Sequence, residues 1–326
     1  MRKIVIGAVA VAFVAAALLA YPVIFRPWPD NDKPIVFVPK TVDGRVDFWQ
    51  VLGQGVYLAG KEFGEQVQTV GAFAEKDVDG QIALLEKLIG ERPKAIVLAA
   101  SDYNLTVPVA EKIRDSGIPL ITVDSGLNGG ISASFIGTDN YKAGRQAGEA
   151  MANIVDKEAE IAVISVVKGS RTSMERESGV RDRLEELGMS GVLDQPYFSE
   201  SSEEKSYEIT LRLLNERPDL KGIVCLNEPT TVGAAKAVME ASASGRVKMV
   251  GFDSSTAEIA FLEEGVIQAI VVQKPFNMGY LAVRAAVNVI HGKAVEPSTD
   301  TGSELITKEN MYTKENQKLL FPFDGR

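Results

Sequence analysis

The sequence has few of the residues from which metal sites and covalent links are made: its 326 residues include one cysteine and one histidine. One cysteine cannot form an internal disulfide, and one histidine with one cysteine is too few for the usual zinc clusters. Positive charge is also scarce, because 35 lysines and arginines stand against 44 aspartates and glutamates, a net charge of −9 (35 minus 44). Nucleic acids and anionic membrane surfaces bind basic faces. We therefore predict no metal, no cofactor and no nucleic-acid partner.

The motifs of common catalysts are missing as well. No phosphate-binding glycine loop and no GxSxG elbow occurs in the sequence. The single histidine, His291, is followed by Gly292 and Lys293, a pattern typical of a helix C-terminus rather than of a general base. Cys225 lies in an apolar run, which favours a small buried side chain over a reactive thiol. These absences predict a protein that is not an enzyme.

The longest apolar run begins near the N-terminus. It extends from Ile4 to Phe25 and follows Arg2 and Lys3. At about 1.5 Å per residue such a helix spans about 33 Å, enough to cross a bilayer core. The basic pair places the N-terminus in the cytoplasm and the rest of the chain outside it. We predict an uncleaved membrane anchor with a linker to residue 33. A cleaved signal peptide is the alternative, but its apolar run is usually shorter.

From residue 35 onward, short apolar runs of strand length alternate with longer amphipathic segments. In the segment from Val78 to Gly90, for example, Val78, Ile82, Leu85 and Ile89 share one helix face. The predicted strands are 35–38, 67–72, 95–100, 119–123, 134–137, 161–167, 222–226, 247–252 and 268–273. Such alternation predicts an α/β fold with parallel sheets covered on both faces, and nine strands predict two sheets rather than one.

Polar and aromatic side chains follow these strands. Ligands of open parallel sheets bind beyond the carboxyl ends of the strands, so these side chains are candidates for a binding site. Some have a structural explanation when taken alone: Asp139 fits a helix N-cap, and Asp124 and Asp253 fit turns. Together they suit a neutral ligand with many hydroxyl groups, such as a sugar, whose apolar faces stack on aromatic rings. The candidates are Lys40, Phe48, Trp49, Asp124, Asp139, Arg176, Asn227, Asp253 and Gln273.

Five segments carry a further signal through their order and spacing. They are Asp47-Phe48-Trp49, Gly117-Ile118-Pro119-Leu120-Ile121-Thr122-Val123-Asp124, Ile136-Gly137-Thr138-Asp139-Asn140 followed by Gly144, Asn227-Glu228, and Val250-Gly251-Phe252-Asp253. They resemble the type I periplasmic binding proteins of sugar ABC transporters, and the ribose-binding group in particular. The resemblance covers residues 35 to about 310. LacI-type repressors share this fold but begin with a DNA-binding helix-turn-helix, and the apolar run in its place excludes that branch.

The resemblance implies two Rossmann-like lobes with parallel sheets, joined by three crossovers and closing on a ligand. On this pattern, residues 1–33 form the anchor and linker. Residues 34–138 and 274–300 form the N-terminal lobe, and residues 139–273 and 301–315 form the C-terminal lobe.

The resemblance also implies roles for the candidate side chains. Phe48 and Trp49 match the pair that stacks on the sugar ring, Asp124 matches an acceptor of sugar hydroxyls, and Arg176 matches a forked donor from the second lobe. The remaining polar contacts match Asn227, Asp253 and Gln273, with Gln273 at a hinge crossover.

Two departures leave the identity of the sugar open. The chain has Ser125 where the ribose group has arginine, and Val46 where that group has asparagine. In addition, Lys40, in Phe37-Val38-Pro39-Lys40, and Asp124 resemble the lysine and aspartate that contact autoinducer-2 in another branch of the family.

We expect a monomer that binds a pentose or hexose between its lobes and presents it to an ABC permease. The alternative is an anchored sensor subunit for a sugar or autoinducer-2 that signals to a sensor histidine kinase. An enzyme of the glycosidase class would need two carboxylates flanking one bond, which Asp124 and Asp253 could supply. The resemblance instead assigns each carboxylate to a hydroxyl, so reversible binding without catalysis is the prediction.

Overall fold

The structure is a computed structural model that describes residues 33–321. The predicted membrane anchor, residues 4–25, lies outside the described residues. Among the helices within 33–321, none is long and apolar enough to span a bilayer. The described part of the chain is the part predicted to form the two lobes.

Twelve strands and ten helices alternate along residues 33–321. The strands are β1 (Ile35–Val38), β2 (Val67–Thr69), β3 (Ala95–Leu98), β4 (Leu120–Val123), β5 (Ser134–Gly137), β6 (Glu160–Ser165), β7 (Tyr197–Phe198), β8 (Leu220–Cys225), β9 (Lys248–Phe252), β10 (Ala269–Val272), β11 (Ser298–Asp300) and β12 (Glu304–Thr307). The helices are α1 (Asp47–Phe63), α2 (Val78–Glu91), α3 (Val107–Asp115), α4 (Asn140–Ala152), α5 (Arg171–Glu186), α6 (Glu203–Glu216), α7 (Glu228–Glu240), α8 (Thr256–Glu264), α9 (Pro275–Ile290) and α10 (Lys314–Leu320). The predicted alternation is confirmed, although the short strands β7, β11 and β12 were not predicted.

The strands form two six-stranded sheets, one in each lobe. In the first lobe the order is β11-β5-β4-β3-β1-β2, and all neighbours are parallel. In the second lobe the order is β12-β10-β9-β8-β6-β7, and of these strands only β12 is antiparallel to its neighbour. Helices cover both faces of parallel sheets, and β1, β3, β4 and β10 are buried at every residue. The prediction of two parallel-sheet α/β lobes is confirmed.

Within the described residues the chain crosses between the lobes at three places. Residues 138–139 lead from β5 to α4, which packs on β8, β9 and β10. Residues 273–274 lead from β10 to α9, which packs on β3, β4 and β5, and residues 301–303 join β11 to β12. We propose these crossings as the lobe boundaries. Leu320 of α10 lies in the core of the second lobe, beyond the predicted end at residue 315.

Glycines let paired helices approach closely beside the cleft. A Cβ on Gly144 of α4 would lie 2.2 Å from the backbone oxygen of Arg176 in α5. A Cβ on Gly55 of α1 would lie 2.1 Å from the backbone oxygen of Phe276 in α9. Because α5 carries Arg176 and α1 carries Phe48 in its first turn, these two helix contacts set the positions of two candidate side chains.

Candidate functional site

A cavity between the two lobes collects most of the predicted side chains. Only about 30 Å³ of its space can take the centre of a water molecule, which is room for about two waters. Its walls are formed by Lys40, Val46, Phe48, Trp49, Glu75, Asp124, Val166, Thr172, Arg176, Asn227, Glu228, Pro229, Asp253 and Gln273. Eight of the nine predicted residues therefore line this cavity, and they come from both lobes.

Two aspartates occupy corresponding positions at strand ends in the two lobes. Asp124 directly follows β4 in the first lobe, and Asp253 directly follows β9 in the second. Their φ angles are +59° and +78°, in the left-handed region that most residues with a side chain avoid. Backbone strain of this kind concentrates at functional sites, where neighbouring structure maintains it. The strained backbone directs two buried carboxylates into the space between the lobes.

Lys40 connects the first lobe to the second. Its Nζ lies 3.0 Å from Asp124 Oδ2, and the two side chains are only 5% and 4% exposed. The same Nζ donates to Thr172 Oγ1 at 3.0 Å and to Ser170 Oγ at 3.3 Å, and both of these residues belong to the second lobe. A buried ion pair must recover its desolvation cost through such additional hydrogen bonds. Lys40 is therefore a buried interlobe donor rather than an exposed loop side chain.

The aromatic wall of the cavity is fixed by a buried carboxylate. Trp49 Nε1 donates to Glu75 Oε1 at 2.8 Å, and the Phe48 ring meets the Trp49 ring edge-on with centroids 5.0 Å apart. Burial raises the pKa of the Glu75 carboxyl, and the nearby ammonium of Lys40 opposes that rise. The sequence analysis did not single out Glu75. It follows the second predicted strand, so the strand-end pattern, applied to that strand, would have found it.

Arg176 is held rigidly in the second lobe. Its Nε donates to Asn140 Oδ1 and its Nη1 donates to the backbone oxygen of Leu226, both at 2.8 Å. The guanidinium carbon lies 4.7 Å from the centre of the Phe252 ring, a cation–π distance. Arg176 is 4% exposed and lines the cavity. The cavity thus has a positive donor group whose orientation is set before any ligand arrives.

Three further predicted residues form the floor of the cavity in the second lobe. Asn227 caps α7, since its Oδ1 accepts from the Thr230 N–H at 3.2 Å. Asp253 Oδ1 accepts from Gln273 Nε2 at 2.6 Å, and burial raises the pKa of Asp253 while Arg176 opposes that rise. Gln273 Oε1 is buried and has no hydrogen-bond partner among the described residues. Buried polar atoms are normally paired, so Gln273 presents an acceptor that suits a hydroxyl or amine of a ligand.

Glu228 lines the cavity but was not predicted as a site residue. It is 5% exposed, and its two carboxylate oxygens each accept a backbone N–H of the first lobe at 3.0 Å, from Asp47 and from Phe48. Burial raises the pKa of Glu228 to about 8; the two N–H groups oppose this shift, and the charge on Asp253 adds to it. The sequence signal was its place in the Asn227-Glu228 segment, which indicated the family but assigned this carboxylate no role.

Asp139 does not reach the cavity. It is exposed, and its Oδ1 accepts from the Lys142 N–H at 3.0 Å as the N-cap of α4. Asp is a preferred N-cap residue because its carboxylate satisfies a free N–H of the first turn. The helix-cap interpretation, which the sequence also allowed, describes this side chain.

A larger groove of about 940 Å³ borders the hinge at Gln273 and Lys274. It shares Phe48, Asp253 and Gln273 with the cavity, but charged side chains such as Glu304 and Glu315 also line it. The polar groups of the smaller cavity are buried and converge from both lobes, which is the arrangement typical of small-molecule sites. We therefore take the cavity between the lobes as the candidate site. No cluster of histidine, cysteine, aspartate or glutamate within residues 33–321 could hold a metal ion.

Residues 35–294 match the periplasmic binding protein domain, and the chain belongs to this family. It is 29% identical over 289 residues to the D-ribose/D-allose-binding protein of Pseudomonas aeruginosa, covering 85% of this chain and 89% of that protein. A solute-binding protein of an ABC transporter from Agrobacterium vitis, solved with bound D-fucose, superimposes with a TM-score of 0.85 at 31% identity, covering 88% of this chain and 99% of that one. A carbohydrate transporter solute-binding protein from Agrobacterium radiobacter, in complex with D-arabinose, gives a TM-score of 0.83 at 29% identity, covering 90% and 100%. These relatives are solute-binding proteins, which confirms the prediction that the chain is not an enzyme.

Proposed function

We propose that this protein binds a monosaccharide, a pentose or hexose, in the cavity between its lobes and presents it to an ABC sugar transporter outside the cytoplasm. The observation that carries the proposal is the set of buried polar side chains that converge from both lobes beside an aromatic wall. The binding of D-fucose and D-arabinose by similar proteins supports the same class of ligand. The family is extracytoplasmic by its description, which agrees with the orientation predicted from Arg2 and Lys3.

Each wall of the cavity has a chemical role in this proposal. Asp124, from the first lobe, and Asp253, from the second, accept hydrogen bonds from sugar hydroxyls. Arg176 donates to sugar oxygens, and the unpaired Gln273 Oε1 accepts. The apolar face of the sugar stacks on Phe48, which Trp49 supports edge-on.

Binding requires movement of the two lobes. Room for about two waters is too small for a six-membered sugar ring, so the ligand enters when the lobes are apart. A sugar that contacts both lobes then stabilises the closed arrangement. In that arrangement, some polar groups that pair with each other in the closed cleft exchange partners for sugar hydroxyls. Lys40 is an example, since it pairs with Asp124 of its own lobe and with Thr172 of the other.

A second candidate ligand is autoinducer-2, received by an anchored sensor subunit that signals to a histidine kinase. The observation that favours it is the pairing of Lys40 Nζ with Asp124 Oδ2 at 3.0 Å, because these are the residues that resemble the autoinducer-2 contacts. Arg176 in the cavity favours an ordinary sugar. Measuring uptake of a labelled sugar by cells with and without the protein separates transport from sensing.

We propose that the apolar run of residues 4–25 anchors the protein in the membrane, that the two lobes lie on its outer side, and that the protein is a monomer. Cell fractionation tests the anchor: the full-length chain is expected in the membrane fraction. A soluble product that begins near residue 21 would contradict it and would establish a cleaved leader.

A binding screen tests the proposed function. Calorimetric titration with D-ribose, D-allose, D-fucose, D-arabinose and autoinducer-2 is expected to identify at least one monosaccharide ligand, which also raises the melting temperature. Phe48→Ala is expected to weaken its binding about tenfold through loss of ring stacking. The matched control is Phe73→Ala, since that ring is 68% exposed on the same lobe. Failure of a wide set of monosaccharides to bind the intact protein would overturn the proposal.

A further inference from the structure

Helix α1 begins without a cap from its own lobe. Its N-cap residue is Val46, whose apolar side chain makes no cap hydrogen bond. The first N–H groups of any helix have no partner within the helix, so they need an acceptor from elsewhere. The chain segment before α1 therefore leaves the N–H groups of Asp47 and Phe48 to be satisfied from outside.

The acceptor comes from the other lobe. Glu228 Oε1 receives the N–H of Asp47 and Glu228 Oε2 receives the N–H of Phe48, both at 3.0 Å. Glu228 is the first residue of α7, and its two oxygens meet the positive end of α1, where a carboxylate is favoured. This bidentate contact is the interlobe cap.

The interlobe cap is connected to the candidate site on both sides. The backbone N–H of Glu228 donates to Asp253 Oδ2 at 3.1 Å, so the carboxylate proposed to accept a sugar hydroxyl also anchors the start of α7. On the other side, the cap fixes the backbone of Phe48, whose ring lines the cavity. Separation of the lobes breaks both N–H contacts and frees the backbone that carries that ring.

We infer that Glu228 is a positioning residue that holds the lobes closed by capping α1 across the cleft and thereby fixes Phe48 for the ligand. The cap acts on the lobes themselves whatever the ligand is, and only its contribution to sugar affinity rests on the proposed function. The specific consequence is that removing the Glu228 carboxyl opens the ligand-free protein.

The test measures the distance between the lobes in the full-length, ligand-free protein. Cysteines introduced at the exposed positions Glu111 and Glu208, one in each lobe, accept spin labels, while the single native cysteine, Cys225, is buried and does not compete. Glu228→Ala removes both acceptors in either protonation state. It is expected to lower the ratio of closed to open protein about tenfold.

Two controls accompany this variant. Glu240→Ala removes a carboxylate at the far end of the same helix, where it contacts Tyr207 within the lobe, and is expected to leave the distances unchanged. Glu228→Gln keeps one carbonyl acceptor, so its ratio of closed to open protein is expected to lie between those of the native protein and Glu228→Ala. It also provides a test if the alanine variant does not fold.

Hydrogen exchange supplies an independent readout, since loss of the cap exposes the amides of Asp47 and Phe48 to solvent. Faster exchange in a peptide covering these residues supports the inference. Unchanged distances and unchanged exchange in a folded Glu228→Ala or Glu228→Gln protein would overturn it. Neither measurement uses a sugar, so a result that disproves the role of Glu228 leaves the proposed sugar binding untouched, and the reverse also holds.

Discussion

At the scale of single residues, the candidate site uses the same side chains for ligand contact and for structure. Two N–H groups of Arg176 donate to Asn140 and to the backbone of Leu226, and its guanidinium lies over the ring of Phe252. A forked donor held in this way loses little rotamer entropy when it binds a ligand. Changes at such a residue therefore affect affinity and stability together.

We predict that Arg176→Ala weakens sugar binding and also lowers the free energy of unfolding, by about 2–3 kcal/mol. The loss of stability follows because the buried Asn140 Oδ1 and the Leu226 carbonyl lose their donors. Urea denaturation and calorimetric titration measure the two effects. Arg212→Ala, at an exposed position, serves as the control, and an Arg176→Ala protein with unchanged stability would contradict this account.

The buried carboxyl of Glu258 is expected to make the free energy of unfolding depend on pH. Burial raises its pKa well above 4.5, and the nearby Glu228 and Asp253 raise it further, although Ser255 donates to Oε2 from its backbone and hydroxyl. A carboxyl with a raised pKa in the folded state stabilises the fold below about pH 4.5, and this contribution is lost as the pH rises through the raised value. Glu258→Gln keeps the helix cap and removes the ionisation. We expect the variant to gain stability relative to the native protein between pH 5 and pH 8.

Urea denaturation at several pH values measures this gain, with Glu111→Gln at an exposed position as the control. A constant difference in stability between the Glu258→Gln variant and the native protein across that pH range would contradict the prediction.

Sequence patterns predicted the residues at strand ends well, because the carboxyl ends of parallel strands meet at one edge whatever the details of packing. Asp124 and Asp253 are of this kind. Glu228 and Glu75 act through partners that become neighbours only after folding, an N-terminal helix turn and an indole N–H. Asp139 could not be assigned in advance, because a helix cap and a ligand contact use the same residue type at the same place.

At the scale of secondary-structure elements, close helix contacts position the site. Helices α4 and α5 approach so closely at Gly144 that an added Cβ would meet the backbone of Arg176. A backbone atom cannot rotate away as a side chain can, so the helices themselves would have to separate. The spacing of α4 and α5 therefore governs where the guanidinium lies.

We predict that Gly144→Ala destabilises the protein by about 2 kcal/mol or more and weakens sugar binding through displacement of Arg176. Gly53→Ala is the matched control, because a Cβ at that position in α1 would meet nothing within 4 Å. Alanine favours a helix over glycine by about 1 kcal/mol, so the control is expected to be neutral or stabilising. Thermal unfolding and sugar titration measure both variants, and equal effects of the two substitutions would contradict the packing argument.

The element boundaries were harder to predict than the elements. Runs such as 95–100 and 161–167 were predicted as longer strands than β3 and β6, because buried apolar residues continue past the last ladder hydrogen bonds into the cleft. The strands β11 and β12 carry too few apolar residues to give a pattern, and they form because the returning chain adds to the edge of each sheet.

At the scale of the whole molecule, charged side chains at the rim of the cleft contribute to closure. Lys76 Nζ of the first lobe lies 2.7 Å from Glu200 Oε2 of the second, and Lys205 pairs with the other oxygen of the same carboxylate. The Lys76 side chain is 58% exposed, so this pair is worth at most about 1 kcal/mol. It adjusts the balance between open and closed forms without determining it.

We predict that Lys76→Glu lowers the ratio of closed to open protein about threefold at low ionic strength, because it places like charges across the cleft. The double variant with Glu200→Lys restores an opposite-charge pair and is expected to recover most of the loss. Interlobe distances from spin labels give the ratio of closed to open protein for both variants. The difference in this ratio between Lys76→Glu and the native protein should disappear at 1 M salt, where exposed charges are screened. An effect that survives such salt would rule out the electrostatic explanation.

The three crossovers have a consequence for biosynthesis. The first lobe begins with β1 near the start of the described chain. However, the helix that packs on its strands β3, β4 and β5 is α9, and the edge strand of its sheet is β11, and both come late in the sequence. A ribosome that delivers the chain from its N-terminus must therefore produce the strands of the second lobe up to β10 before α9 emerges. Until then helix α1 covers only part of this apolar sheet face, and the rest stays exposed on the nascent first lobe. Exposed apolar surface of this kind is what chaperones recognise on unfinished chains.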